Sequence, residues 1–265
     1  DHTVRLCAAG LHKTRLDPDL CRKVRSSILF AGPMAARHGA ATLFPPGGDG
    51  IGRRRLDTHF EALKSLGIRL RGNGCYSFVR GKLEGKPLLL DEASVTATEN
   101  AVMAATLAKG RTTLFNAACE PHVQDLCLLL NKMGARISGI GTNRLAIDGV
   151  RTLRGVTHTV SPDYTDMASF MAAAALTGGA LEIHGAQPSD FDVIARSFSK
   201  LGVRWTLAAR HLRMPARLRL KVTDGAITEI ESIKCNKGEA GGLWNPDSLT
   251  TVSPRLTLSI RESER

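Results

Sequence analysis

"SSILFAGPMAARHGAATLF" runs from Ser26 to Phe44, and "ENAVMAATLAKGRTTLF" runs from Glu99 to Phe115. A third run of the same design, "DMASFMAAAALTGGALEI", spans Asp166 to Ile183. Each is an apolar, alanine-rich helix pattern that stops at a glycine (Gly39, Gly110 or Gly178) and passes into a short strand-like run. Glycine just past a helix end takes a left-handed conformation without a Cβ penalty. Glu99, Asp166 and Asp190 stand near the expected helix starts, where an acid suits the positive end of the helix dipole.

A second series interleaves with the first: "LDTHFEALKSLGIRL" (Leu56 to Leu70), "VQDLCLLLNKMGARI" (Val123 to Ile137) and "DFDVIARSFSKLGVRW" (Asp190 to Trp205). Each carries helical apolar spacing, then a lysine, a glycine, a β-type residue and an arginine. The glycines Gly67, Gly134 and Gly202 are 67 and 68 positions apart. Such a period marks an internal structural repeat. Each unit reads strand–helix–strand–helix–strand–strand, and three are expected, at roughly 2–80, 86–149 and 157–214. The alanine-rich helices have no polar face, so they are expected to be buried, with sheets around them. Beyond Ala216 the periodicity fades into a polar, glycine-rich stretch that the pattern leaves unassigned.

The 265 residues suffice for one large or two smaller domains. Lys and Arg exceed Asp and Glu by 36 − 25 = +11, which favours anionic partners. Aromatics are only 5% of the chain, too few for the stacking platforms of single-stranded nucleic-acid binders. The longest apolar run, Met167 to Leu181, is short for a bilayer span and rich in Ala and Gly, so no membrane insertion is expected. The six cysteines (Cys7, Cys21, Cys75, Cys119, Cys127, Cys235) form no C-x-x-C pair and read as reduced, mostly structural thiols. No signal-peptide pattern opens the chain, and it begins at Asp1 without Met, so a truncated N-terminus is expected.

Between the two helices of the first unit lies "PPGGDGIGRRRLDTHF", Pro45 to Phe60. Its glycines leave backbone N–H groups uncovered, and such loops can cradle phosphate or carboxylate oxygens. Arg53, Arg54 and Arg55 supply forked cationic donors, and the helix that follows adds positive potential at its N-terminus. Neither the dinucleotide nor the P-loop fingerprint is present. A surface turn with solvated arginines is the alternative. Asp49 likewise has two readings: a turn acid that caps backbone donors, or a proton donor. Neighbouring arginines lower its pKa, whereas burial beside a bound anion raises it.

These segments resemble the UDP-N-acetylglucosamine 1-carboxyvinyltransferases of the enolpyruvyl transferase family, whose other branch is EPSP synthase. The resemblance rests on Arg22 to Gly67, on "SVTATENAVMAATLAKGRTTLFNAACEPHVQDLCLLLNKMGARISGIGT" from Ser94, and on "VSPDYTDMASFMAAAALTGGALEIHGAQP" from Val160. It covers about 12–214, in order and with the family's spacings. It implies an α/β (α+β) fold of inside-out α/β barrel lobes built from repeated βαβαββ units. Residues 1–155 would be the first lobe (two of three units), and 156–265 the start of the second (one unit and an irregular tail). The chain would hold units two to four of six, plus part of a fifth.

The resemblance also implies a reaction. The 3′-hydroxyl of UDP-N-acetylglucosamine attacks C2 of phosphoenolpyruvate while C3 takes a proton, and the adduct then expels phosphate to leave an enolpyruvyl ether. This is the first committed step of peptidoglycan synthesis, in the bacterial cytoplasm. No metal or organic cofactor is implied. The shikimate-pathway enzyme shares the fold, but its motifs fit less well.

Carried over by position, Asp49 occupies the general-acid site, commonly a cysteine in this family. A carboxyl group there is not the soft thiolate that fosfomycin alkylates, so fosfomycin resistance is expected. Arg25 matches an arginine that binds the anionic substrates. Arg54, Arg55, Leu56, Asp57 and Thr58 match the nucleotide-sugar segment, Arg54 being the loop arginine that contacts substrate. Ser94, Val95 and Thr96 match the stretch that holds the UDP portion. Read without the resemblance, Arg25 is an exposed helix arginine and Ser94 a helix N-cap. His59 fits the family pattern and equally fits a structural histidine.

Departures are also visible. The family's N-terminal lysine–asparagine pair, which binds phosphoenolpyruvate, has no counterpart here. Glu92 stands where some members have lysine, Thr96 where glycine is usual, and Tyr164 where arginine is frequent. Asp247 in "WNPDS" lies near the distance expected of the family's base-like aspartate. A non-catalytic nucleotide-sugar-binding fragment is therefore a second reading. Nucleic-acid binding, which the basic charge alone suggests, is a third; the arginines fall instead at substrate positions.

Overall fold

The computed structural model describes residues 3–48, 55–72 and 74–221. Asp49, Arg54 and Asp247 lie outside them, as does the tail 222–265. Two compact units meet in sequence between Thr159 and Val160.

In the first unit, α1 (Pro18–Lys23) is capped by Asp17 and leads through a 3-10 turn, Arg25–Phe30, into α2 (Ala31–His38). Then come β1 (Ala40–Leu43), α3 (Asp57–Ser65) and the hairpin β2 (Ile68–Gly72) and β3 (Tyr76–Arg80). The sheet order is β1-β3-β2, all antiparallel. A second repeat follows: β4 (Pro87–Leu89), α4 (Val95–Ala105), β5 (Arg111–Phe115), α5 (Pro121–Lys132), β6 (Arg136–Ser138) and β7 (Arg144–Asp148). Its sheet runs β4-β5-β7-β6, with β4 parallel to β5 across the α4 crossover.

The second unit carries α6 (Tyr164–Thr177), β8 (Leu181–His184), α7 (Asp192–Lys200), β9 (Thr206–Ala208) and β10 (His211–Met214), in the sheet order β8-β10-β9. The repeat period is therefore realised as three sheets with the same connectivity after their first strand.

Three local expectations change. The first strand of the first repeat shrinks to one parallel bridge, Arg15 to Thr42. Among the described residues, the third repeat has no first strand. The segment that would supply it is drawn onto α5 instead: Arg154 N donates to Met133 O (2.9 Å), and the half-sheltered His158 meets Asp125 at 3.0 Å. Gly39 and Gly178 cap their helices in the left-handed region, but α4 is capped at Thr106, four residues before Gly110. Because α4 starts at Val95, Glu99 stands in its second turn rather than at its start.

The first unit's core is one cluster that joins the helices to both sheets, with Leu43, Leu63, Phe78, Leu114 and Ile147 fully buried. Helices α2 and α4 are buried nearly all round, as their composition requires. Helix α6 departs from that expectation. It buries only the stripe Met167, Met171 and Ala175 and leaves Phe170 62% exposed. A single three-stranded sheet covers one side of it, so its alanine-rich composition exceeds the burial available.

Where α2 meets α4, backbone approaches side chain closely. A Cβ on Gly32 would lie 2.6 Å from both Asn100 O and Asn100 Oδ1. Gly32→Ala should therefore cost about 1–3 kcal/mol, the usual penalty for overpacking a tight core. Urea unfolding followed by circular dichroism measures this, and an unchanged midpoint would refute the tight crossing.

Candidate active site

Three segments of the first unit converge. Arg25 opens the 3-10 turn because Val24, extended at φ −128°, ends α1 and redirects the chain. Its Nη2 donates to Arg55 O at 3.3 Å. On the other side Gly48, at φ +94°, packs so closely that a Cβ there would sit 3.2 Å from Arg25 Cβ. Gly47 N donates to Cys21 O (3.0 Å) and Gly48 N to Arg22 O (3.3 Å). A side chain at Gly47 would strike Arg22 O, so only glycine fits there. Both described ends of the glycine–arginine loop are thus fastened beside Arg25.

Arg55 acts as a clamp. Its Nε meets Asp57 Oδ2 at 2.8 Å and its Nη2 lies 3.8 Å from Asp91 Oδ2. The hydrogen bond and charge of Asp57 raise its already high pKa. Thr58 donates its hydroxyl to Asp91 Oδ1 at 2.6 Å, with a longer approach of 3.3 Å to Glu92 Oε1. The Thr58 hydroxyl, then Arg55, hold the Asp91 carboxyl below the usual carboxylate range. Helix α3 thereby begins against the turn that follows β4.

That turn leads to α4. Ser94 is its N-cap: the hydroxyl accepts from Ala97 N at 3.4 Å, which leaves other first-turn N–H groups pointing outward. Thr96 Oγ1 lies 3.1 Å from His59 Nε2, and His59 Nδ1 lies 3.1 Å from Asn100 Nδ2. Asn100 Nδ2 can only donate, so His59 Nδ1 accepts, and the ring proton sits on Nε2 facing Thr96. Asn100 also donates to Ile28 O (2.8 Å) and accepts from Gly32 N (2.7 Å). Burial, and then the Arg25 charge, push the His59 pKa down to about 4.

Of the residues singled out from sequence, Arg25, Arg55, Leu56, Asp57, Thr58, Ser94, Val95 and Thr96 fall within this one patch, and His59 lies directly behind it. Asp49 and Arg54 lie outside the described residues. Tyr164 opens α6 in the other unit. Sequence reading passed over Asp91 and Asn100. Asn100 carried a signal: it is a polar residue in the middle of an alanine-rich helix, and it is wholly buried. Asp91 carried none, since an acid after a short strand is ordinary turn chemistry. The buried Cys127 thiol, pushed up to about 11 by burial, is inert as a nucleophile.

Repeated α/β units around buried helices, with a glycine–arginine loop fastened beside Arg25 at both described ends, define the class of enolpyruvyl transferases. The same fold occurs in the enolpyruvyl transferase NikO of Streptomyces tendae, at TM-score 0.66 and 21% identity over 80% of this chain and 52% of that one. EPSP synthase of Acinetobacter baumannii gives 0.55 and 18% over 75% and 47%. The chain belongs to the EPSP synthase (3-phosphoshikimate 1-carboxyvinyltransferase) family, whose profile matches residues 2–232. Within it, the chain is 53% identical over 209 residues to the UDP-N-acetylglucosamine 1-carboxyvinyltransferase of Treponema denticola, covering 79% of this chain and 49% of that protein. The Treponema pallidum protein of the same name is 49% identical over 222 residues, covering 84% and 52%. The chain thus spans about half the length of these relatives.

The His59 geometry has a pH consequence. The fold favours the neutral ring, so its contribution is complete above about pH 6.5 and is lost as pH falls towards 4. The full loss is about 3 kcal/mol. Urea midpoints from pH 7.5 to 4 should therefore fall more steeply for the native chain than for His59→Gln. Parallel curves would remove His59 as the neutral linchpin.

Proposed function

We propose that the chain provides the nucleotide-sugar and proton-donor half of an enolpyruvyl transferase acting on UDP-N-acetylglucosamine and phosphoenolpyruvate, in the bacterial cytoplasm, at the first committed step of peptidoglycan synthesis. The observation that carries this reading is the convergence of Arg25, Arg55 to Thr58 and Ser94 to Thr96 in one patch. Identity near 50% to relatives named for that reaction supports it. The shikimate-pathway reading has no comparable support. Among the described residues no helix is long and apolar enough to cross a membrane. The two units would belong to two lobes of the fold.

In this reading the uncapped N–H groups of α4 and the Arg25 guanidinium receive diphosphate or carboxylate oxygens. Thr58 and Asp57 hold the segment that faces the nucleotide. Asp49 delivers its carboxyl proton to C3 of phosphoenolpyruvate while the sugar 3′-oxygen bonds to C2. The hydroxyl proton leaves to solvent. The adduct then returns a proton from C3 and breaks the C2–O bond to phosphate, so the protons balance over the cycle. Asp49 does this only while protonated, which requires burial beside the bound anion to outweigh the arginines.

The test joins this chain to the complementary segments of the Treponema denticola relative and measures phosphate release from phosphoenolpyruvate with UDP-N-acetylglucosamine. Turnover is expected, and Asp49→Asn should abolish it. Arg25→Ala should weaken substrate binding about ten- to hundredfold, the weight of one or two charge-assisted hydrogen bonds. Calorimetric binding of UDP-N-acetylglucosamine with no turnover would favour the non-catalytic reading instead. Fosfomycin should leave the Asp49 form active, whereas Asp49→Cys should lose activity irreversibly with time. Equal irreversible inhibition of both would remove Asp49 from the proton-donor position.

A further inference from the structure

On the outward face of the second unit's sheet, far in sequence from the patch above, three metal-ligating side chains meet. Strand register sets His211 directly opposite His184, and Arg213 opposite Glu182. Leu212 and Met214 turn into the core, which sends His211, His184 and Glu182 to the other face by strict alternation. One donor atom from each of the three lies within 4.8 Å of the others.

We propose that Glu182, His184 and His211 form a binding site for a divalent transition metal of the zinc class, pinning β8 to β10. Four observations carry it. The Nε2 atom of His211 is buried, yet among the described residues it has no hydrogen-bond partner. A buried ring nitrogen without a hydrogen bond is costly, and a metal would satisfy it if that nitrogen carries the lone pair. Glu182 Oε2 stands 3.5 Å from it, close to the separation of about 3.4 Å between two ligands on one tetrahedral zinc. The other oxygen of Glu182 accepts from Arg213 Nε at 3.0 Å, the kind of outer contact that orients a ligating carboxylate. The His184 and His211 rings stack with centroids 4.1 Å apart and planes 21° from parallel. The stack brings the second imidazole beside the first, and neutral imidazole is the form that ligates a metal.

From the stack, His184 must turn its ring to aim a lone pair at the same point as His211. It is exposed, so the contact that this turn gives up is the stack on His211. The cross-strand neighbour of His211 on its other side is Ala208, whose side chain offers no competing hydrogen bond. Two imidazoles and one carboxylate suit zinc, nickel or copper rather than magnesium or calcium, which favour oxygen. Three protein ligands leave a position for water.

The test is a ZnCl2 titration of the full chain, read by long-range proton–nitrogen spectra of the eight imidazoles. This reading is needed because the exposed Cys7 and Cys119 thiols can themselves ligate zinc. The His184 and His211 signals, assigned from His184→Gln and His211→Gln, should shift first and saturate at one equivalent. Glu182→Gln should weaken that binding at least tenfold, and His184→Gln should abolish the shift of His211. Both positions are exposed, so both variants should fold. Unmoved His184 and His211 signals while zinc binds elsewhere would overturn the site, as would unchanged affinity in Glu182→Gln.

Discussion

A single buried amide, Asn100, organises the first unit. Its oxygen takes the Gly32 N–H of α2, and its nitrogen gives to Ile28 O and to His59 Nδ1. Two stretches far from α4 in sequence, Ile28 to Gly32 and His59, therefore depend on one side chain. The arrangement requires glycine at position 32, because any Cβ would displace the amide. It also requires a neutral His59, because a protonated Nδ1 would face the Asn100 donor. Satisfied buried networks of this kind are rigid, and they are costly when one member is lost. Arg25 lies three residues before Ile28, Thr58 adjoins His59, and Thr96 bonds the far side of the ring, so the patch inherits its geometry from the amide.

Electrostatics then divide the labour among the arginines. Arg55 is committed to Asp57 and Asp91, both more than half exposed, so its ion pairs add little stability. Their effect is to fix where α3 begins relative to the turn after β4. A phosphate-bearing ligand must draw its compensation from elsewhere, and Arg25 is the described arginine whose backbone and neighbours are fastened on both sides.

What could be read from the chain was local. Glycines in the left-handed region, hairpins and alanine-rich helices announce themselves within about twenty residues, and the repeat boundaries follow from them. The last strands end at Arg80, Asp148 and Met214. What could not be read depends on distant partners. Arg15 forms a bridge only because Thr42 lies beside it. The run before α6 has strand-like residues, but His158 finds Asp125 on α5, and the segment becomes a strap. Gly110 resembles its counterparts in sequence, yet α4 stops earlier, where Thr106 bonds Val102 O. The patch was legible through resemblance; the buried amide behind it was visible only as a polar letter in an apolar word.

The two departures from the family pattern beside the patch, Thr96 and Glu92, meet neighbouring residues of α3. Thr96 replaces the usual glycine, and its hydroxyl receives the Nε2–H of His59, a donor that would otherwise be buried without a partner. Glu92 replaces a lysine found in some members, and it shares the Thr58 hydroxyl with Asp91. Thr58 has one proton to give, and the shorter bond goes to Asp91, so Glu92 retains acceptor capacity. The substitution exchanges a donor for an acceptor beside the segment that the proposed function assigns to the nucleotide. A ligand hydroxyl or ring N–H suits that acceptor, whereas a phosphate does not. Under the proposed function, Glu92 would turn phosphates away, towards Arg25 and the uncapped N–H groups at the start of α4. On that reading the local charge pattern would orient a nucleotide sugar even without the lysine.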